Sequence, residues 1–181
     1  TFINKEKKQT IQNSDFENNS ISISKITKLA KDFKINILIG SLQTKVPSNK
    51  NDFIVNRSFL INTNGKIIQR YDKIHMFDVE LPNGQEFMES NIYTAGNKAI
   101  ISELNVRKKI YKLGLTICYD LRFPSLFQDL AKAGAEIIFV PSAFTKTTGK
   151  YHWHTLLKSR AIETGCFVVA PAQVGKHFIN R

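Results

Sequence analysis

Apolar residues at helical spacing open the readable part of the chain. In "SISISKITKLAKDFKI" they fall at Ile23, Ile26, Leu29, Ala30 and Phe33, which predicts a helix from about Ser22 to Phe33. The run "INILIGS", ended by Gly40, predicts a buried strand. "VPSNKND" is a loop. "RSFLINTNGKIIQRYDKI" predicts a hairpin, because Asn64-Gly65 can take the positive φ angles of a tight turn between two β-type runs. Residues 78–97, rich in Gly, Pro, Asn and Glu, read as one long loop. A loop of that length is uncommon in a compact domain unless it has a function.

The second half alternates. "YKLGLTI" predicts a strand, and a helix follows from Pro124 to Ala133, with proline in its first turn and Gly134 ending it. "EIIFVPSAF" predicts the next strand, "HTLLKSRAIET" a helix closed by Gly165, and "CFVVAPA" another buried strand. Strands and helices in that order imply right-handed crossovers and a largely buried sheet. The first 20 residues are polar and predict no element. Internal repeats and low-complexity tracts are absent from the sequence.

The chain has 181 residues, 42% hydrophobic and 23% charged, enough to bury a core as one domain. Its net charge of +11 raises nucleic-acid binding. The lysines are scattered, however, with only short pairs such as Lys7-Lys8 and Lys108-Lys109, and there is no basic helix with interleaved aromatics. Nucleic acid is therefore not expected as a partner. Neither is a membrane, since no apolar run approaches the roughly 20 residues needed to span one. "TFINKEKKQT" has no apolar core of a signal peptide. The two cysteines, Cys118 and Cys166, form no CxxC pair, and a reducing cytoplasm is the expected compartment.

Composition leaves one anomaly, in "KLGLTICYDLRFPSLFQDLAKAGAEIIFVPSAF". A thiol stands where a buried strand ends. A cysteine at a sharp strand-to-helix turn has the placement of a nucleophile elbow, with the following backbone N–H groups aimed at whatever the sulfur attacks. The thiolate is the reactive form and needs a base or a positive charge nearby. Among histidines, His75, His152, His154 and His177 are candidates by count alone. His152 and His154 flank Trp153, a spacing that can bind metal, but no third ligand is indicated and packing or hydrogen bonding is the expectation. Cys166 opens an apolar run and reads as core.

"GLTICYDLRFP" resembles the cysteine motif of the nitrilase superfamily, the carbon–nitrogen hydrolases, and "RYDKIHMFDVELP" resembles its lysine motif, in the same order. "TTGKYHWHTLLKSRAIETGCFVVAPAQVGKH" resembles the segment that follows in the branch acting on deaminated glutathione. The ω-amidases share the earlier motifs, and "AQVGKH" is closer to the first branch. The resemblance implies an α/β fold, the α-β-β-α sandwich of the superfamily, and cleavage of a small linear amide through a cysteine acyl-enzyme. It implies Cys118 as nucleophile, Lys73 as cationic stabiliser, Glu89 in "FMES" as a supporting carboxylate, and the backbone N–H of Tyr119 as an oxyanion donor. An ammonium beside a thiol favours thiolate and binds a developing oxyanion. No cofactor and no metal are implied; a dimer or larger homo-oligomer is.

The departures are specific. The superfamily's general base lies in an apolar-Pro-Glu motif upstream of the first predicted helix, and this sequence has none. Glu6 and Glu17 lie in polar surroundings and match nothing. Ser125 stands where a glutamate usually follows the proline of "RFP". The Gly-His-Ser and Pro-Trp-Gly segments beyond "AQVGKH" have no counterpart. The expectation is a single domain lacking the first strand-helix-strand unit and the closing strands. Two functions follow: an amidase whose base comes from a complementing chain, or an inactive remnant. Asp120 and Arg122 are expected to form an ion pair that braces the elbow, with Arg122 alternatively holding a substrate carboxylate.

Overall fold

The computed structural model describes residues 10, 14–80, 84 and 86–175. Lys7-Lys8, Glu6, His177 and the end of "AQVGKH" lie outside them. The chain divides into two compact units, Thr1–Lys98 and Ala99–Arg181. Both mix helix and sheet, the expected α/β class.

Among the described residues of the first unit, a sheet in the order β1-β2-β3-β4 packs against a helix. Its strands are β1 (Asp15–Phe16), β2 (Ile37–Val46), β3 (Phe53–Ile61) and β4 (Ile67–Asp72); β1 runs parallel to β2 and the rest are antiparallel. Helix α1 (Ile21–Phe33) begins where the Ser20 hydroxyl accepts the Ile23 N–H and ends at Lys34 in the left-handed region. Its inner stripe, Ile23 and Ala30, packs on Ile39, Phe59 and Ile61. The helix is thus as predicted, while β2 runs well past Gly40.

The β3–β4 connection is a hairpin, but not a two-residue one. It spans residues 62–66, and the Asn62 side chain accepts the N–H groups of Asn64 and Lys66, both at 3.0 Å. Only Gly65 takes a positive φ, +73°. A Cβ there would lie 2.5 Å from the Thr27 carbonyl oxygen, so the turn requires glycine to lie against α1.

The predicted long loop is not structureless. Strands β5 (Asp78–Glu80) and β6 (Glu86–Met88) pair antiparallel, and a 3-10 turn follows at Glu89–Asn91. The three-residue strands are too short to show periodicity.

The second unit holds a sheet in the order β10-β9-β8-β7. Strand β7 (Ile100–Val106), unforeseen, pairs antiparallel with β8 (Lys109–Leu115). Their two-residue turn, Arg107-Lys108, has φ of 51° and 67°. Both residues are left-handed with no glycine or asparagine to announce it. Helix α2 (Pro124–Lys132) leads to β9 (Ile137–Phe139), and α3 (Lys146–Thr164) to β10 (Phe167–Val169); β8, β9 and β10 are parallel. Buried Leu126, Phe127 and Leu130 of α2 join Leu113, Leu115 and Ile138 of the sheet in its core.

Three expectations change here. Helix α3 starts eight residues earlier than predicted, because Thr145 accepts the Thr148 N–H and caps it despite Gly149. Strands β9 and β10 are shorter than their apolar runs. β10, expected to be buried, is the edge of the described sheet, with Phe167 77% exposed. An apolar run shows what a strand can bury, not whether a neighbour covers it.

Candidate active site

Lys73 immediately follows β4. Its N–H donates to the Asn56 carbonyl oxygen at 2.9 Å, and its carbonyl oxygen accepts the Gly96 N–H at 2.8 Å. The backbone around it is therefore tied on both sides. Lys73 is 2% exposed, as is Glu89, and Lys73 Nζ forms an ion pair with Glu89 Oε2. That oxygen also accepts the Phe77 N–H at 2.7 Å, and Glu89 Oε1 accepts Asn56 Nδ2 at 3.3 Å. The carboxylate is thus satisfied from three directions, as a buried charge requires. A 3-10 turn holds it from behind: Ile92 and Tyr93 N–H both donate to the Glu89 carbonyl oxygen at 3.0 Å. Burial, and then the Glu89 charge, push the Tyr93 phenol above its ordinary range, with Gln43 opposing.

The cysteine half is built from backbone. Parallel pairing continues past the end of β8: Thr116 N–H donates to the Phe139 carbonyl oxygen at 3.1 Å, and Cys118 N–H to that of Pro141 at 2.9 Å. The chain then turns sharply into a 3-10 segment, Cys118–Arg122, and Cys118 takes φ +52°. This is the left-handed region, which costs an ordinary residue free energy and is met at sites over-determined by their surroundings. Asp120, fully buried, supplies that constraint. Its carboxylate accepts the Ile117 N–H at 2.8 Å, and its own N–H donates to the Ile117 carbonyl oxygen at 3.1 Å.

The elbow has a second support. Buried Arg160, on α3, donates to the Leu121 carbonyl oxygen at 3.0 Å, pairs with Glu163 at 2.7 Å and lies over the Phe127 ring. The Arg122 guanidinium meets His152 Nδ1 at 3.1 Å and lies 5.7 Å from the ring centres of both Tyr119 and Phe144. The expected brace is thus divided: Asp120 holds the backbone, and Arg122 is held by His152 and two aromatic faces.

The structure brings together Lys73 with Glu89, and Cys118 with Tyr119, Asp120 and Arg122. His152 hydrogen-bonds, as expected of it, and His154 is exposed. Among the described residues no group of three or more His, Cys, Asp or Glu side chains is placed to hold a metal. Cys166 is 7% exposed, its thiol donating to the Ala135 carbonyl oxygen at 3.0 Å. Ser125 is exposed in the first turn of α2. Glu17, which matched nothing, accepts Arg70 Nε at 2.7 Å and lies 3.7 Å from Arg57. Sequence reasoning missed Asn56, whose signal is a lone amide inside the apolar run "FIVNRSFLI".

The sequence family described as carbon-nitrogen hydrolase matches residues 1–181. The chain belongs to this family. A deaminated glutathione amidase of Dictyostelium discoideum is 41% identical over 160 residues, 88% of this carbon–nitrogen hydrolase chain and 54% of the relative. The omega-amidase NIT3 of Saccharomyces cerevisiae is 39% identical over 150 residues, 83% of this chain and 50% of that protein. Among solved structures, the Caenorhabditis elegans NitFhit protein matches with a TM-score of 0.84 at 38% identity, covering 99% of this chain and 42% of that one. The fold is that of the nitrilase superfamily. The chain spans about half the length of the curated relatives it matches. No helix among the described residues is long and apolar enough to cross a membrane.

Proposed function

We propose that this carbon–nitrogen hydrolase chain contributes the cysteine and lysine of an amidase that cleaves small linear amides, of the deaminated-glutathione or ω-amide kind, through a cysteine acyl-enzyme. The observation that carries the proposal is the left-handed elbow at Cys118, just past the end of β8, which pairs in parallel with β9. A structural thiol has no need of a strained turn, and Cys166 occupies an ordinary buried position.

In this reading Cys118 Sγ attacks the amide carbon. The ammonium of Lys73 and the backbone N–H of Tyr119 stabilise the tetrahedral oxyanion. Glu89 pairs with Lys73 and orients it. The amine takes a proton and leaves, and water then releases the acyl group. A general base has to take the Cys118 thiol proton, deliver it to the amine and later take one from the water, and residues 1–181 carry no apolar-Pro-Glu motif to supply it. The base comes from a segment outside this sequence or from a complementing chain, in a dimer or a larger assembly. Both cysteines are free, which suits a reducing compartment such as the cytoplasm. The branch names of the similar proteins support the substrate class.

The test is ammonia release from a panel of ω-amides that includes deaminated glutathione. A polypeptide of residues 1–181 alone is expected to fall short of the same chain joined to a Pro-Glu segment by about 10²–10⁴, the usual worth of positioned proton transfer. Cys118→Ala should abolish turnover in both. Alkylation by iodoacetamide should reach Cys118 well before Cys166. Turnover that survives Cys118→Ala would reject the reading. A folded chain that stays inactive with the base supplied would favour the remnant.

A further inference from the structure

The Lys73–Glu89 pair rests on one residue at two points. Asn56 sits in the middle of β3, 2% exposed, and its carbonyl oxygen receives the Lys73 N–H at 2.9 Å. Its side-chain Nδ2 donates to Glu89 Oε1 at 3.3 Å, while Glu89 Oε2 holds Lys73 Nζ. The contacts close a ring: Asn56 backbone to Lys73 backbone, along the lysine side chain to Nζ, through the glutamate carboxylate, and back to the Asn56 amide. Root and tip of the lysine are therefore referred to the same point of the sheet.

We propose that Asn56 is a positioning residue for Lys73, acting through Glu89, and so a part of the amidase machinery that the motifs do not mark. This rests on the reading of Lys73 given above. The chemistry of the side chain fits. A cation at this position would compete with Lys73 for the carboxylate, and an anion would compete with Glu89 for the ammonium. A neutral donor fixes the carboxylate and leaves the lysine as its charge partner. The arrangement also carries a cost that packing alone does not explain. Asn56 Oδ1 is buried with no hydrogen-bond partner among the described residues, and an unsatisfied buried acceptor calls for an explanation. An apolar residue would fill a strand interior without that cost, because Asn56 is flanked along β3 by Ile54, Val55, Phe59 and Leu60, all buried.

Hydrogen exchange of the full 181-residue chain tests the proposal without requiring turnover. The Phe77 amide, which donates to Glu89 Oε2 at 2.7 Å, reports the carboxylate's position. In Asn56→Leu its exchange should speed up by about tenfold or more, the scale of losing a hydrogen bond to a charged group. The Phe59 and Leu60 amides should keep their protection. If the leucine variant does not fold, Asn56→Ser removes the long amide with less apolar bulk and is read in the same way. Unchanged Phe77 exchange in a folded variant would overturn the proposal. So would equal acceleration along all of β3 and β4, which would mean a packing role. Alkylation of Cys118 separates the two ideas. If Phe77 responds and the alkylation rate does not, Asn56 keeps its role and the action of Lys73 on Cys118 is rejected.

Discussion

Lys73 and Glu89 are held by side chains, whereas Cys118 is held by main chain. Around the lysine the deciding contacts are an ion pair, an amide and a backbone N–H converging on one buried carboxylate. Around the cysteine they are carbonyl oxygens of β9 and of the residues that continue it, and one aspartate that caps the peptide before it. The difference follows from the two tasks proposed. A cation that must stay charged in a dry place needs fixed counter-charge, and only side chains carry charge. A nucleophile that must project from a sheet needs an unusual backbone angle, and that angle is enforced by main-chain partners on either side.

The strongest way to break this comparison is to remove the counter-charge. Glu89→Leu leaves the Lys73 ammonium buried without its partner and should cost about 3–5 kcal/mol of stability in urea unfolding. Lys73→Met combined with Glu89→Leu removes both charges and should recover most of that loss. If the single variant is no worse than the double, the pair does not hold its half together through charge.

How far this contrast could be read in advance also differs between the halves. Helix α1 and the parallel β8-α2-β9-α3-β10 order were legible, because apolar spacing and the proline and glycine at helix ends are local signals. Cys118 was legible as an elbow, since a thiol at a strand tip is itself a break in pattern. The counter-charge was legible only through the resemblance; Glu89 alone is a loop carboxylate. Asn56 and the Pro141 carbonyl were not legible, since their roles depend on partners 33 and 23 residues away (89 − 56 and 141 − 118). The Arg107-Lys108 turn escaped because a left-handed pair without glycine leaves no mark in composition. The exposure of β10 escaped because hydrophobicity does not report neighbours.

The main-chain half is tested at the elbow. Glycine adopts a left-handed angle at no steric cost, and a β-branched residue does so least readily. Cys118→Val should therefore be less stable than Cys118→Gly by about 1–2 kcal/mol, measured as the shift in urea midpoint at constant slope. If the two variants unfold together, the chain at Cys118 relaxes out of the left-handed region when the thiol is absent. The elbow would then be maintained by the cysteine and not by Asp120 and the strand carbonyls.

The smallest effect concerns a side-chain tie at the margin of the lysine half. Glu17, in a 3-10 turn of residues Glu17–Asn19, accepts two hydrogen bonds from Arg70, one of them at 2.7 Å, and Arg57 adds a second positive group at 3.7 Å. The hydrogen bonds to Arg70, and less so the charges of Arg70 and Arg57, lower the Glu17 carboxyl below its usual 4.5 although partial burial opposes them. A carboxyl with a lowered folded-state pKa contributes stability that is fully present above the unfolded value. That stability is lost as pH falls through the folded value. Stability of the parent chain should therefore exceed that of Glu17→Gln above about pH 5, and the gap should close on acidification. Because the partners are partly open to solvent, the gap should be only a few tenths to about 1 kcal/mol. It should shrink further at about 1 M salt, where screening is strong. Thermal unfolding of both proteins from about pH 6 to pH 3 measures it. A gap that persists unchanged at the acid end would mean that Glu17 acts through its packing and not through its charge.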